Sequence, residues 1–145
     1  MIPIPQVFLD YMEGLRTHDV QKIAGTVSED LAFVSATRTL TKAEFLKMIT
    51  ALYTGFPDWH YDCDPPHWQD DLIAVKWRQG GRHTGVFAMP GLAPVEATGR
   101  DVQIPEHFFF YRVQDDHIVM IRPEVVPGGA PRGILEQIGV ELPPL

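Results

Sequence analysis

An α+β fold follows from the order of two periodicities in this chain. Apolar residues recur at helical spacing through most of the first 55 positions, and after that the pattern alternates with a period of two. The segments between the later runs are short and rich in Gly, Pro and Asp. Helices first and then long antiparallel strands describe a sheet covered on one face by helices.

Val7, Phe8, Tyr11, Met12 and Leu15 predict an amphipathic helix over about 4–16. A second short helix starts near Asp19, an N-cap candidate, and carries Val20, Ile23, Ala24 and Val27 inward. Ser28–Asp30 opens a short strand over 31–36. Thr41-Lys-Ala-Glu44 is a capping box, so a third helix follows with Phe45, Met48, Ile49 and Leu52 inward, ending near Gly55 and Pro57. Trp59, Tyr61 and Cys63 alternate with His60, Asp62 and Asp64 as a half-buried strand. Asp70-Asp71 is a turn, and a long strand runs from Leu72 to about Phe87 with a bulge or bend expected at Gly80-Gly81. Residues 89–99 read as a loop. Strands over 100–113 and 117–126 are joined at Gln114-Asp115-Asp116, and a last helix over about 132–138 is capped by Gly139.

A chain of 145 residues fits one domain, 1–145, with room for a core, and 45% apolar content argues against disorder. The net charge of −7, with no Lys/Arg run, argues against a nucleic-acid partner. No apolar run is long enough for a membrane span, and the N-terminal residues lack the pattern of a signal peptide. The single cysteine, Cys63, excludes an internal disulfide or a cysteine-rich metal site. A cytoplasmic location without cofactor is the expectation.

Several ionisable residues fall inside the apolar runs of the second half: His83, Glu106, His107, Arg122 and Glu124. Such groups are costly to bury unless paired, so their convergence on one sheet points to a polar-lined cavity. Counted back from Val113, His107 shares a face with Phe109 and Tyr111. Val102 and Ile104 have the opposite parity, and a bulge near Pro105 would turn all five inward. His107 is the general-base candidate because its side chain titrates nearest neutrality; the alternative is a core histidine bonded to backbone. Glu106 either orients His107 or forms an ion pair with Arg112 or Arg122. His83 shares a face with Trp77, Val75 and Ile73 if no bulge intervenes, or else caps a strand end. Arg122 and Glu124 share parity with Ile118 and Met120; an inward Arg122 would bind an enolate or carboxylate oxygen. Phe8, Tyr11, Phe33, Trp59, Tyr61 and Trp77 sit at core spacing, with Tyr11 and Trp59 able to offer a polar tip to a ligand. Asp58, His60, Asp62, Asp64 and His67 read as a solvated edge, not a metal site.

Four ordered segments, Gly81-Arg-His-Thr-Gly85, Ala97-Thr-Gly-Arg-Asp-Val102, Phe110-Tyr-Arg-Val113 with Asp116-His-Ile-Val119, and Ile134–Gly139, resemble motifs of the SnoaL-like polyketide cyclases, within the nuclear transport factor 2-like fold group. The resemblance implies a cone: a curved antiparallel sheet wrapped around three helices, with a pocket at its open end. It also implies a homodimer paired through the convex sheet face, for which Trp68, Phe108 and Phe110 are the exposed aromatic candidates. The family's acid/base carboxylate lies in a segment like P-G-x-D-x-F-R, and Pro105–Arg112 has no aspartate there. What the resemblance implies is a cofactor-independent enzyme acting on a small hydrophobic or carbonyl-containing ligand by proton transfer next to the carbonyl. His107 would take the proton, Glu106 would orient it, His83 or Arg122 would hold the oxygen, and Tyr11, Trp59, Trp77 and Glu124 would line the site. The competing reading is a non-catalytic ligand-binding or dimerisation module. Epoxide hydrolysis would need an Asp-Arg-Asp cluster, of which only Arg122 is a candidate member.

Overall fold

A computed structural model describes residues 2–142. Helices α1 (Gln6–Thr17), α2 (Val20–Thr26) and α3 (Lys42–Gly55) pack against one face of a curved sheet. Its strands are β1 (Val27–Val34), β2 (Thr39–Leu40), β3 (His60–Cys63), β4 (His67–Gln69), β5 (Leu72–Arg82), β6 (Asp101–Gln114) and β7 (His117–Pro123). A short α4 (Arg132–Gln137) closes one end. The sheet order is β2-β1-β7-β6-β5-β3, with β4 beside β5.

Local signals place most of these elements. Asp19 caps α2 by accepting from Lys22 N, and Thr41 and Glu44 form the reciprocal capping box of α3. Asp115 and Asp116 have φ of 50° and 58°, the left-handed pair that a two-residue hairpin needs, so β6 and β7 pair directly.

Three expectations are corrected. β1 begins at Val27, taking the residues expected as a polar opening, and ends at Val34. It pairs with β7 in parallel, so the sheet is mixed and not wholly antiparallel. A long stretch of chain separates these two strands, so no hairpin constrains their direction. β5 ends at Arg82, five residues short of Phe87, where the backbone turns to bring Gly85 against the end of α3.

The bulges lie elsewhere than at Gly80-Gly81. Trp77 faces His107 and Gln79 faces Ile104, so Pro105 and Glu106 together oppose Arg78. A proline in this central strand is tolerated because the bulge frees it from the ladder. The extra residue brings Val102, Ile104, His107 and Tyr111 to the same buried face. On β7, Val119 is the extra residue between Ile118 and Met120. Ile118 and Ile121 are therefore both buried, and Arg122 turns to the opposite face.

Two apolar clusters fill the cone. One joins Phe8, Tyr11, Ile23, Phe33, Phe45, Trp77 and Tyr111. The other, under α4, joins Phe56, Trp59, Phe87, Val102, Ile104, Ile134 and Leu135. The Gln137 amide holds α4 to the sheet, accepting from Gln103 N at 3.0 Å and donating to Gln103 O at 2.8 Å.

Gly85 is needed for close approach. Its N–H donates to Gly55 O at 3.1 Å, and a Cβ there would collide with Thr54 O. Because the obstacle is backbone, Gly85→Ala is expected to cost about 3 kcal/mol, the upper end of ordinary overpacking. Urea denaturation reads this directly, and an unchanged midpoint would refute the close-approach account.

Candidate active site

The inward face of β3, β5 and β6 carries Tyr61, Cys63, Val75, Trp77, Gln79, Ile104, His107, Phe109 and Tyr111. His107 is 4% exposed and lies across from Trp77 on the neighbouring strand. Its Nδ1 is 2.8 Å from Pro105 O. A carbonyl oxygen only accepts, so Nδ1 carries the proton and, in the neutral ring, Nε2 keeps its lone pair. The bulge thus turns His107 inward and supplies the acceptor that sets its tautomer. Phe109 packs beside it, ring centroids 5.1 Å apart.

Beyond Phe109, which packs against both His107 and Tyr111, lies a group of phenols whose convergence residue patterning does not show. Trp77 Nε1 donates to Tyr111 OH at 2.8 Å, the Tyr11 and Tyr111 rings meet edge to face with centroids 5.8 Å apart, and Tyr53 and Tyr61 hydroxyls lie 2.7 Å apart. All four tyrosines of the chain meet here. Burial pushes the Tyr53 phenol up to about 12, and holds Tyr11, Tyr61 and Tyr111 well above the ordinary tyrosine range. His18 closes the group. It occupies the left-handed region at φ 55°, where its ring stacks on Tyr53 at 3.9 Å and its Nε2 lies 2.6 Å from Trp59 O. Tyr11 and Tyr61 were visible as core-spaced aromatics; their convergence with Tyr53, Tyr111 and His18 joins residues up to a hundred positions apart.

His83 is fully buried in the second cluster, stacked on Phe56 with centroids 5.2 Å apart. Its Nδ1 meets Thr98 Oγ1 at 2.9 Å and Thr98 N at 3.2 Å. It stands six residues beyond Trp77, about 20 Å along an extended strand, so the two histidines address different parts of the interior. Trp59 is buried between them, its Nε1 donating to Gln79 Oε1 at 3.2 Å.

Three expected site residues face away from this interior. Glu106 is on the outer face, 3.4 Å from Lys76 and 3.5 Å from Arg78; it is ion-paired there, with neither Arg112 nor Arg122 as its partner, and does not orient His107. Arg122 lies over the outer Phe110 ring at 5.2 Å because of the Val119 bulge, which also removes the one candidate member of an epoxide-hydrolysing cluster. Glu124 is past the end of β7, where its Oε1 accepts from Phe108 N at 3.2 Å. Trp68, expected outside, pairs with Ile73 on the inward face and donates from Nε1 to Ile2 O. Asp62 and Asp64 both bind Arg78, at 2.9 and 3.1 Å.

Aromatic side chains line the cone interior, and two open grooves lie on the surface. One runs along α3 against Val86 and Pro90, the other beside Val27, Lys42 and His117, and neither is lined by His107, His83 or a tyrosine. No described helix is long and apolar enough to cross a membrane.

A helix-filled cone of mixed sheet, with buried hydrogen-bonding side chains on its inner wall, defines the class: an NTF2-like α+β protein. The chain belongs to the SnoaL-like polyketide cyclase family, whose model matches residues 6–123. Solved structures agree on the fold. AclR, a candidate hydroxylase from Streptomyces galilaeus, is 20% identical with a TM-score of 0.72, covering 92% of this chain and 93% of its own. A candidate SnoaL-like polyketide cyclase from Jannaschia is 13% identical, TM-score 0.71, over 98% of both chains. A candidate polyketide cyclase from Xanthomonas campestris is 15% identical, TM-score 0.69, over 92% of this chain and 95% of its own. No curated protein sequence matches this one.

Proposed function

We propose that this protein is a cofactor-independent enzyme that moves a proton next to a carbonyl group of a small hydrophobic ligand, in a reaction of cyclase, isomerase or lyase type. The observation that carries this reading is the Nε2 lone pair of His107, set on the buried inner wall by the bond from Nδ1 to Pro105 O. His107 Nε2 takes the proton from the carbon, the C–H electron pair moves into the enolate, and the imidazolium returns the proton to the product.

The phenols beside Trp77 suit the enolate oxygen. The Tyr111 oxygen accepts from Trp77, which leaves the phenol's own O–H to donate. His83 serves a separate part of the ligand, and Trp59 walls the space between the two histidines.

One observation favours the alternative of a binding module: no aspartate occupies Pro105–Arg112, the stretch that resembles the family's acid/base segment. Deuterium uptake at the carbon beside the carbonyl of 1-tetralone in D2O separates the two. Protein-dependent exchange that disappears in His107→Asn supports the enzyme. Binding of the ketone without exchange supports the module.

We also propose that two copies pair through the outer sheet face, in the cytoplasm, where the lone Cys63 thiol stays reduced. Phe108 and Phe110 stack there at 6.1 Å, flanked by Lys76 and Arg122 over their rings. Sedimentation at micromolar concentration is expected to show a dimer that Phe110→Glu converts to monomer; a wild-type monomer would refute it.

A further inference from the structure

We infer that Thr98 fixes His83 as the neutral Nε2–H tautomer, making His83 a hydrogen-bond donor to a ligand oxygen and not a second base. A backbone N–H can only donate, so the Thr98 amide, 3.2 Å from Nδ1, requires a lone pair on that nitrogen. The Thr98 hydroxyl lies 2.9 Å from the same atom and itself accepts from Arg100 N at 3.3 Å. In the neutral ring the proton is then on Nε2.

That Nε2 is fully buried and has no hydrogen-bond partner among the described residues. The rings packed on His83 belong to Phe56 and Phe87, which carry no hydrogen-bonding group. Burying an N–H with no acceptor is unfavourable, and a ligand oxygen placed there would remove the penalty. Everything else about His83 is pinned. Its N–H donates to Arg100 O at 2.9 Å, its carbonyl accepts from Gly99 N at 2.8 Å, and Gly99 at φ 71° turns the chain back so that the Thr98 amide meets the ring. A base at Nδ1 would have to displace the Thr98 amide, and Nε2 has no lone pair to offer. The site therefore suits an uncharged acceptor, a carbonyl or ether oxygen on an apolar ligand. Thr98 is a positioning residue, acting through His83.

The ligand part rests on the interior being a small-molecule site, as proposed above; the tautomer does not. A two-bond 1H–15N correlation spectrum of the full chain labelled with 15N-histidine tests the tautomer, with His83 assigned by its loss in His83→Phe. A pyrrole-type Nε2 and a pyridine-type Nδ1 are expected in the wild type and in Thr98→Val, which keeps the amide. A ring protonated at Nδ1, alone or with Nε2, overturns the inference.

9-Fluorenone, a rigid ketone with no exchangeable C–H beside its carbonyl, tests the donor. Its carbonyl stretch should fall to lower frequency on binding, and affinity should drop about tenfold in His83→Phe, the scale of one net hydrogen bond. Equal affinity in the two proteins, or no binding to the wild type, overturns the donor role. The exchange assay at His107 is read separately, so either proposal can fail alone.

Discussion

Replacing His107 by asparagine is expected to lower the rate of proton exchange by about 10²- to 10⁴-fold, the usual contribution of a positioned general base. Asparagine is the informative choice because its amide NH₂ can still reach Pro105 O, the hydrogen-bond partner of the ring's Nδ1. The inner wall keeps a donor where the bulge needs one and loses only the Nε2 lone pair. His107→Ala removes both and leaves a void against Trp77 and Phe109, so its loss mixes chemistry with packing. Glu106→Gln should keep the wild-type rate, because the carboxylate sits on the outer face with Lys76 and Arg78. Wild-type exchange by His107→Asn at an unchanged melting temperature would remove His107 from the mechanism.

The second large effect is alkaline unfolding with the tyrosines as its reporters. Each of the four phenols is held above its ordinary range by burial, the least of them, Tyr53, at about 12. A group whose folded value is raised favours the folded state while protonated. That contribution is complete below the unfolded phenol value near 10 and is lost as pH rises from there through the folded values. Absorbance at 295 nm should therefore stay flat through pH 10. It should then rise in one cooperative step, for all four phenols, together with loss of the far-ultraviolet dichroism. A tyrosine that ionises reversibly near 10 with the dichroism intact would show that one phenol is solvated and the cluster is open. Tyr53→Phe should move the step to higher pH, since it removes one of the four phenols whose ionisation on unfolding favours the unfolded chain.

Membership of the SnoaL-like family and the fold of its solved relatives account for the cone; they leave the chemistry to the side chains on its inner wall. Here that wall holds a buried histidine, His107, packed beside Phe109, and two phenols, Tyr61 and Tyr111.

Much of this architecture is written locally in the chain. The Thr41–Glu44 capping box, the Asp19 cap and the Asp115-Asp116 turn act over three or four residues, so their structural consequences are readable from spacing alone. The sequence left His83 open between the Trp77 face and a strand end, and His107 open between a base and a core histidine; the structure buries both. The opposed parity of Ile104 and His107 pointed to a bulge near Pro105, and that bulge brings His107 inward and leaves Glu106 outside. What lay beyond the sequence was the second slip: the Val119 bulge sends Arg122 outward although its parity matches Ile118. A period of two carries no record of such a slip, because one extra residue inverts every side chain after it and leaves the composition unchanged. The meeting of Tyr11, Tyr53, Tyr61 and Tyr111 is likewise tertiary: two come from helices and two from strands, and only the wrapping of the sheet around α1 and α3 puts their hydroxyls together.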